Sequence, residues 1–396
     1  MRLNTLKSNK AKKHLETYVI MKYLQPTATL LAALFFISCT RPQISMTFEG
    51  FTNDTVIVTS VSIEDAAKDI DDYDLQCDTL LINNNRLEIP AADRPMSYIF
   101  EFRETDDGSP YYTRRQIEIE TNPEDRLVYR VKRAEEQFEY TAKGNAYAEG
   151  KADFDRYILP ISLEIDRHDR GVNENWAILN SLYDKRRALA AEWLRQNQQN
   201  PAAVFVMAFE VASDTTLAYY ERMKPLIDRS VIKPIVEKRI VNAEKYVAMT
   251  RAMANIKEGA AAPQFTLQDD KGNEVALGSL RGRWVVLDFW GTWCGWCIKG
   301  IPDMKKAYEK HKSKCEFISI DCNESRDAWL KGLEKYEMPW IQLYNPRESS
   351  PMDDVSVKYA VEGYPTKFII SPEGAIHKIF VGETAEFYAE LDRAVK

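Results

Sequence analysis

Histidine is scarce in this 396-residue chain: His14, His168, His311 and His377 are scattered along it. A structural zinc site normally takes four ligands, and there is one Cys-x-x-Cys with no second to complete it, so no metal is expected. Six cysteines are too few to staple a chain of this length, which must therefore rest on an ordinary apolar core. The apolar run from Thr27 to Ile37 has eleven residues. A membrane-spanning helix needs roughly 20, so this run reads as the core of a signal peptide and not as an anchor. No internal repeat, low-complexity tract or basic patch is found. Residues 1–38 carry a net charge of +5, and without them the remainder stands at −12, which disfavours nucleic acid as a partner.

What is present centres on Trp293-Cys294-Gly295-Trp296-Cys297, just after the apolar run Trp284 to Trp290. A cysteine pair at a strand-to-helix junction puts both sulfurs at the first helical turn. There the unpaired backbone N–H groups and the helix dipole favour thiolate over thiol. A thiolate with a second thiol one turn away suits disulfide exchange: one sulfur attacks and the other resolves. Cys294, at the helix start, is expected to be the exposed sulfur with the lower pKa, and Cys297 to face inward. Asp288 lies six residues before Cys294 within an apolar strand, where burial should raise its pKa. A salt-bridged structural role for Asp288 is the alternative. Pro302 falls inside the expected helix and should kink it without ending it.

Tyr364-Pro365-Thr366 precedes the strand-like run from Lys367 to Ile370. With the Cys pair, Asp288 and Pro302, these residues make the segment from about Ala260 to Lys396 resemble the thioredoxin superfamily. The opening Ala262-Pro263-Gln264-Phe265-Thr266-Leu267, and the 71 residues from Cys294 to Pro365, are similar to its exported TlpA/ResA-like branch. The resemblance implies Cys294 as nucleophile, Cys297 as resolving thiol and Asp288 as proton acceptor. It implies a cis bond before Pro365, which would hold the substrate backbone with Tyr364 and Thr366 shaping the contact, and it implies no cofactor. Trp293 and Trp296 are expected to face substrate from their place beside the sulfurs, Trp293 alone matching the family's tryptophan. Two departures stand out. Gly295-Trp296 replaces the Gly-Pro of thioredoxin, and the apolar Phe317 stands where thioredoxin has a buried lysine. A peroxidase pattern would need Pro and Thr or Ser where this chain has Leu287 and Gly291.

The organisation expected is a signal peptide over 1–38, with Met21 the possible true start, then an antiparallel β-sandwich over 39–143. A helical region over 144–258 and an α/β thioredoxin-like domain over 259–396 complete it. The helical stripe is Trp176, Leu179, Leu182, Tyr183, Leu189, Ala190 and Trp193. Glu258 to Pro263 is the expected linker, and Cys77, Cys315 and Cys322 are expected to be buried small hydrophobes. Ile37-Ser38-Cys39 resembles a bacterial lipobox, which implies lipidation at Cys39 and a membrane anchor on the periplasmic side of the cell envelope. The function expected is reduction of protein disulfides with electrons from a membrane-embedded donor. A disulfide oxidase or isomerase is the runner-up. An envelope lipoprotein that binds a ligand, with redox chemistry secondary, is the rival from another class.

Overall fold

A computed structural model describes residues 41–51, 55–68, 75–102, 115–134, 137–169, 176–346 and 350–396. The signal peptide, Met21 and Cys39 lie outside the described residues. No helix among those described is long and apolar enough to cross a membrane. The chain divides into two compact units, with the break between Glu244 and Lys245.

In the first unit, β1 (Ile44–Glu49), β2 (Thr55–Ser62), β3 (Gln76–Leu81) and β4 (Arg86–Ile89) are followed by β5 (Met96–Phe102), β6 (Arg115–Thr121), β7 (Leu127–Ala134) and β8 (Gln137–Lys143). They form two four-stranded sheets, β4-β1-β7-β8 and β3-β2-β5-β6. Alternate residues such as Ile44, Met46, Phe48, Val56, Val58, Phe100 and Ile117 are buried in one apolar core shared by both sheets. The antiparallel expectation needs correction, because β1 pairs with β7 in parallel. The intervening strands carry the chain across before it returns beside β1, and no hairpin pattern in the sequence announces that return. Cys77 also departs from expectation: it is exposed, since β3 is a sheet edge.

Helices Ala146–Asp169, Trp176–Gln196, Ala203–Phe209, Ser213–Ile227 and Lys233–Met253 follow. Leu179, Leu182, Ala190 and Trp193 of the predicted stripe are core residues, whereas Trp176 at the helix start is exposed.

The second unit carries β9 (Thr266–Asp269), β10 (Glu274–Ala276), β11 (Trp284–Trp290), β12 (Cys315–Asp321), β13 (Ile341–Tyr344), β14 (Thr366–Ile370) and β15 (Ile376–Val381). They make one sheet in the order β10-β9-β13-β12-β11-β14-β15. β11, β12 and β13 are mutually parallel, β14 pairs antiparallel with β11, and β15 pairs antiparallel with β14 at the sheet edge. Helix Gly295–His311 crosses from β11 to β12, and helix Arg326–Tyr336 from β12 to β13. The expected linker is tied down: the Gly259 N–H donates to the Ile376 carbonyl (2.7 Å) and the Ala262 N–H to that of Gly374 (3.0 Å). Its backbone groups thus find partners at the start of β15.

Candidate active site

β11 ends at Trp290, and four residues later the helix begins with Cys294 as its N-cap. The Cys294 Sγ accepts the Cys297 N–H at 3.1 Å, so the sulfur occupies the place of a capping oxygen at the positive end of a 17-residue helix. Cys294 and Cys297 are joined as a disulfide. Both residues are 6% exposed, so exposure does not separate them as the sequence suggested. The capping position does, because Cys294 alone holds it. The helix runs on through Pro302 to His311.

The approach to the sulfurs is aromatic. Trp293 and Trp296 are 47% and 64% exposed, large apolar surfaces left open to water. The Trp293 indole N–H donates to the Cys322 carbonyl at 2.9 Å, and its ring meets Tyr364 edge-on at 5.1 Å. Position 291 must be glycine for this, since a Cβ there would lie 2.4 Å from the indole nitrogen. The Lys299 ammonium stands 4.5 Å from the Trp296 ring centroid. The Tyr364–Pro365 bond is cis. Pro365 itself is buried, with its carbonyl accepting the Gly382 N–H at 2.8 Å. Thr366 is also buried and donates its hydroxyl to the Gly363 carbonyl at 2.6 Å. Of the residues expected near substrate, the two tryptophans thus lie most open, Tyr364 is half-buried, and Pro365 and Thr366 sit behind it.

Beneath this surface lies a charged group that the sequence hid. Asp288 faces Lys367 across the β11–β14 pair, where the two are direct partners in the register. The Lys367 Nζ is 3.6 Å from Asp288 Oδ1 and 2.7 Å from Glu383 Oε2. Lysine is thus present at the aspartate after all, supplied by β14, while Phe317 on β12 is an ordinary core residue. The Ser319 hydroxyl donates to Asp288 Oδ2 at 3.1 Å and itself accepts the Trp340 indole N–H at 2.8 Å. Asp288 Oδ1 is buried with no hydrogen-bond donor among the described residues. Burial pushes the Asp288 carboxyl up, opposed by the Lys367 charge and the Ser319 hydrogen bond.

A second carboxyl pair underlies the loop before Cys294. Glu324 accepts the Thr292 N–H at 2.6 Å and the Thr292 hydroxyl as well. Fully buried Asp321 is pushed up to about 10 by burial and by Glu324 beside it. Burial raises the Cys315 thiol to about 12 and Cys322 well above its ordinary value, which keeps both as inert thiols. Lys367, Glu383, Ser319 and Glu324 were all missed from sequence. The one available signal was a lysine heading the apolar run Phe368-Ile369-Ile370. Among the described residues no cluster of His, Cys, Asp and Glu could hold a metal.

The AhpC/TSA family model matches residues 259–379. The thiol-disulfide oxidoreductase ResA of Bacillus subtilis is 34% identical over 143 residues, which is 36% of this chain and 76% of that protein. ResA of Geobacillus kaustophilus is 33% identical, covering 31% of this chain and 69% of the relative. Among solved structures, the thioredoxin domain of a thiol-disulfide oxidoreductase from Bacteroides vulgatus is 28% identical, covering 35% of this chain and 99% of that one with a TM-score of 0.33. Because the Bacillus subtilis ResA is 34% identical and covered over 76% of its length, the chain belongs to the ResA family of thiol-disulfide oxidoreductases and bears its thioredoxin-like domain at the C-terminus.

Proposed function

We propose that the chain reduces protein disulfides through the Cys294/Cys297 dithiol. The observation that carries this reading is the Cys294 sulfur capping a long helix, one turn from a partner with which it forms a disulfide. The Cys294 thiolate attacks one sulfur of the substrate disulfide, forming a mixed disulfide and expelling the first substrate thiolate. Cys297 then gives its proton to the Asp288 carboxylate, and the new thiolate attacks the Cys294 sulfur. That closes the enzyme disulfide and releases the second substrate thiolate, so two electrons pass from enzyme to substrate. Asp288 suits the proton transfer because burial raises its affinity for a proton and one of its oxygens is unoccupied.

Trp293 and Trp296 form the surface on which substrate lands, with Tyr364 beside them and Pro365 and Thr366 shaping the turn. In this reading the chain is held at the bacterial cell envelope by a lipid on Cys39, facing the periplasm. A membrane-embedded donor returns the electrons. The Ile37-Ser38-Cys39 pattern after a short apolar run supports the anchor. The first unit, read as a sandwich followed by helices, bears none of the thiol chemistry.

Insulin disulfide reduction by the full chain, with and without Cys294→Ser, tests the chemistry, and turnover surviving the substitution overturns it. Cys297→Ser is expected to trap substrates as mixed disulfides. Mass analysis of the mature N-terminus tests the anchor, and an unmodified Cys39 rules it out.

A further inference from the structure

Glu383 occupies a place where the cysteine-bearing helix has no side chain. Gly300 lies three residues after Cys297, on the same face of that helix. A Cβ at position 300 would stand 2.3 Å from Glu383 Oε2 and 2.6 Å from its carboxyl carbon, well inside contact distance. The Glu383 carboxylate therefore holds its position only because residue 300 is glycine. From there it bonds the Lys367 ammonium at 2.7 Å, while Asp288 is left at 3.6 Å. The lysine is 3% exposed and so has little water to share its charge with. The Tyr388 hydroxyl donates to the other Glu383 oxygen at 2.5 Å, so both oxygens are engaged and the carboxylate is fixed.

We propose that Glu383 is a positioning residue for the thiol chemistry. By drawing the Lys367 ammonium to itself through the gap at Gly300, it keeps that cation from pairing closely with Asp288. Asp288 is thereby left basic enough to take the Cys297 proton. This rests on the reading of Asp288 as proton acceptor. The charged and titratable groups facing Asp288 are Lys367 from β14, Glu383 from the turn after β15 and Tyr388 from the C-terminal helix, with the neutral Ser319 from β12. Facing Glu383 are Lys367 and Tyr388, and Asp303 of the cysteine-bearing helix acts on Tyr388. Without the Glu383 charge, Lys367 would act on Asp288 alone. An opposite charge within a few ångströms lowers a carboxyl pKa by roughly 1–3 units.

The test uses the reduced full chain and the chromogenic disulfide 5,5′-dithiobis(2-nitrobenzoate). The first thiolate released reports attack by Cys294, and the second reports resolution by Cys297. The rate of the second phase is followed against pH. Glu383→Gln removes the charge, and Gly300→Ala displaces the carboxylate sterically while favouring the helix. Both should move the midpoint of the resolution step down by about one pH unit or more and lower its plateau. A folded Glu383→Gln protein with the wild-type midpoint overturns the proposal. So do shifts of opposite sign in the two variants. Should Glu383→Gln fail to fold, Gly300→Ala alone decides by the same criterion. Asp288→Asn separates the two readings: if it keeps the wild-type pH limb, Asp288 is not the acceptor, whatever Glu383 does.

Discussion

Among the described residues, each compact unit buries a lysine between two acids, and the two arrangements differ in how completely they are satisfied. In the first unit, the Lys151 ammonium donates to the Glu118 carbonyl at 2.6 Å, lies 3.5 Å from Glu120 and stands 4.6 Å from the Phe205 ring centroid. The Tyr147 hydroxyl donates to Glu120 at 3.1 Å, so the carboxylate most deeply buried there is provided for. In the second unit, Lys367 also lies between two acids, yet Asp288 Oδ1 receives no hydrogen bond among the described residues. A satisfied buried network specifies structure, while an unsatisfied oxygen in a protected place is free to exchange a proton. The open position lies on β11, the strand that leads into the cysteine-bearing helix. Burial raises both Glu120 and Asp288, so the direction of the shift would not have told the two apart.

The sharpest way to break this contrast is to remove the chemistry from one side only. Cys294→Ser should lower insulin disulfide turnover by roughly 10³-fold or more, as loss of a nucleophile does. Lys151→Met should leave the kcat/KM for insulin unchanged while costing on the order of 3 kcal/mol of stability in chemical denaturation, since Glu120 loses its buried counter-charge. A turnover defect in folded Lys151→Met protein would mean that the first network is not structural after all.

Lys367→Met asks the complementary question. The lysine charge holds the Asp288 carboxyl down against burial, so its removal should raise the pH midpoint of the resolution step by roughly 1–3 units. An unmoved midpoint would place Asp288 outside the chemistry. The smallest effect concerns stability. A carboxyl raised by folding binds its proton more tightly in the native state. Asp288 therefore contributes most favourably below its unfolded pKa of about 4 and loses that contribution as pH rises through the folded value. Asp288→Asn should gain about 0.5–2 kcal/mol at pH 8, a gain that fades toward pH 4. Equal stability of the two proteins at both pH values would contradict the burial argument.

How much of this was legible depended on whether the information was local. Cys294, Cys297 and Tyr364-Pro365 could be picked out because they stand at junctions between elements, and Asp288 and Pro302 because each is out of place in its element, an acid within an apolar strand and a proline inside a helix. Lys367 was not legible, because its partner lies 79 residues away and meets it only through the β11–β14 register. Glu383 required a further step, the empty place at Gly300. The parallel pairing of β1 with β7 and the exposure of Cys77 on an edge strand escaped for the same reason: neighbours in space were distant in sequence.

The register that joins β11 to β14 also bears on when the site comes into being. β11 leaves the ribosome with its aspartate and, soon after, both cysteines, whereas β14 follows only after three helices and two more strands among the described residues have been made. Closing so long a loop costs little more free energy than closing a shorter one, but such a distant pairing slows folding. During that interval the cysteines belong to a chain that lacks the lysine, the second acid and the proline turn. Completion of the site and completion of folding are thus coupled by the order of strands, and a truncated or half-folded product carries the two cysteines without the residues that surround them in the finished oxidoreductase.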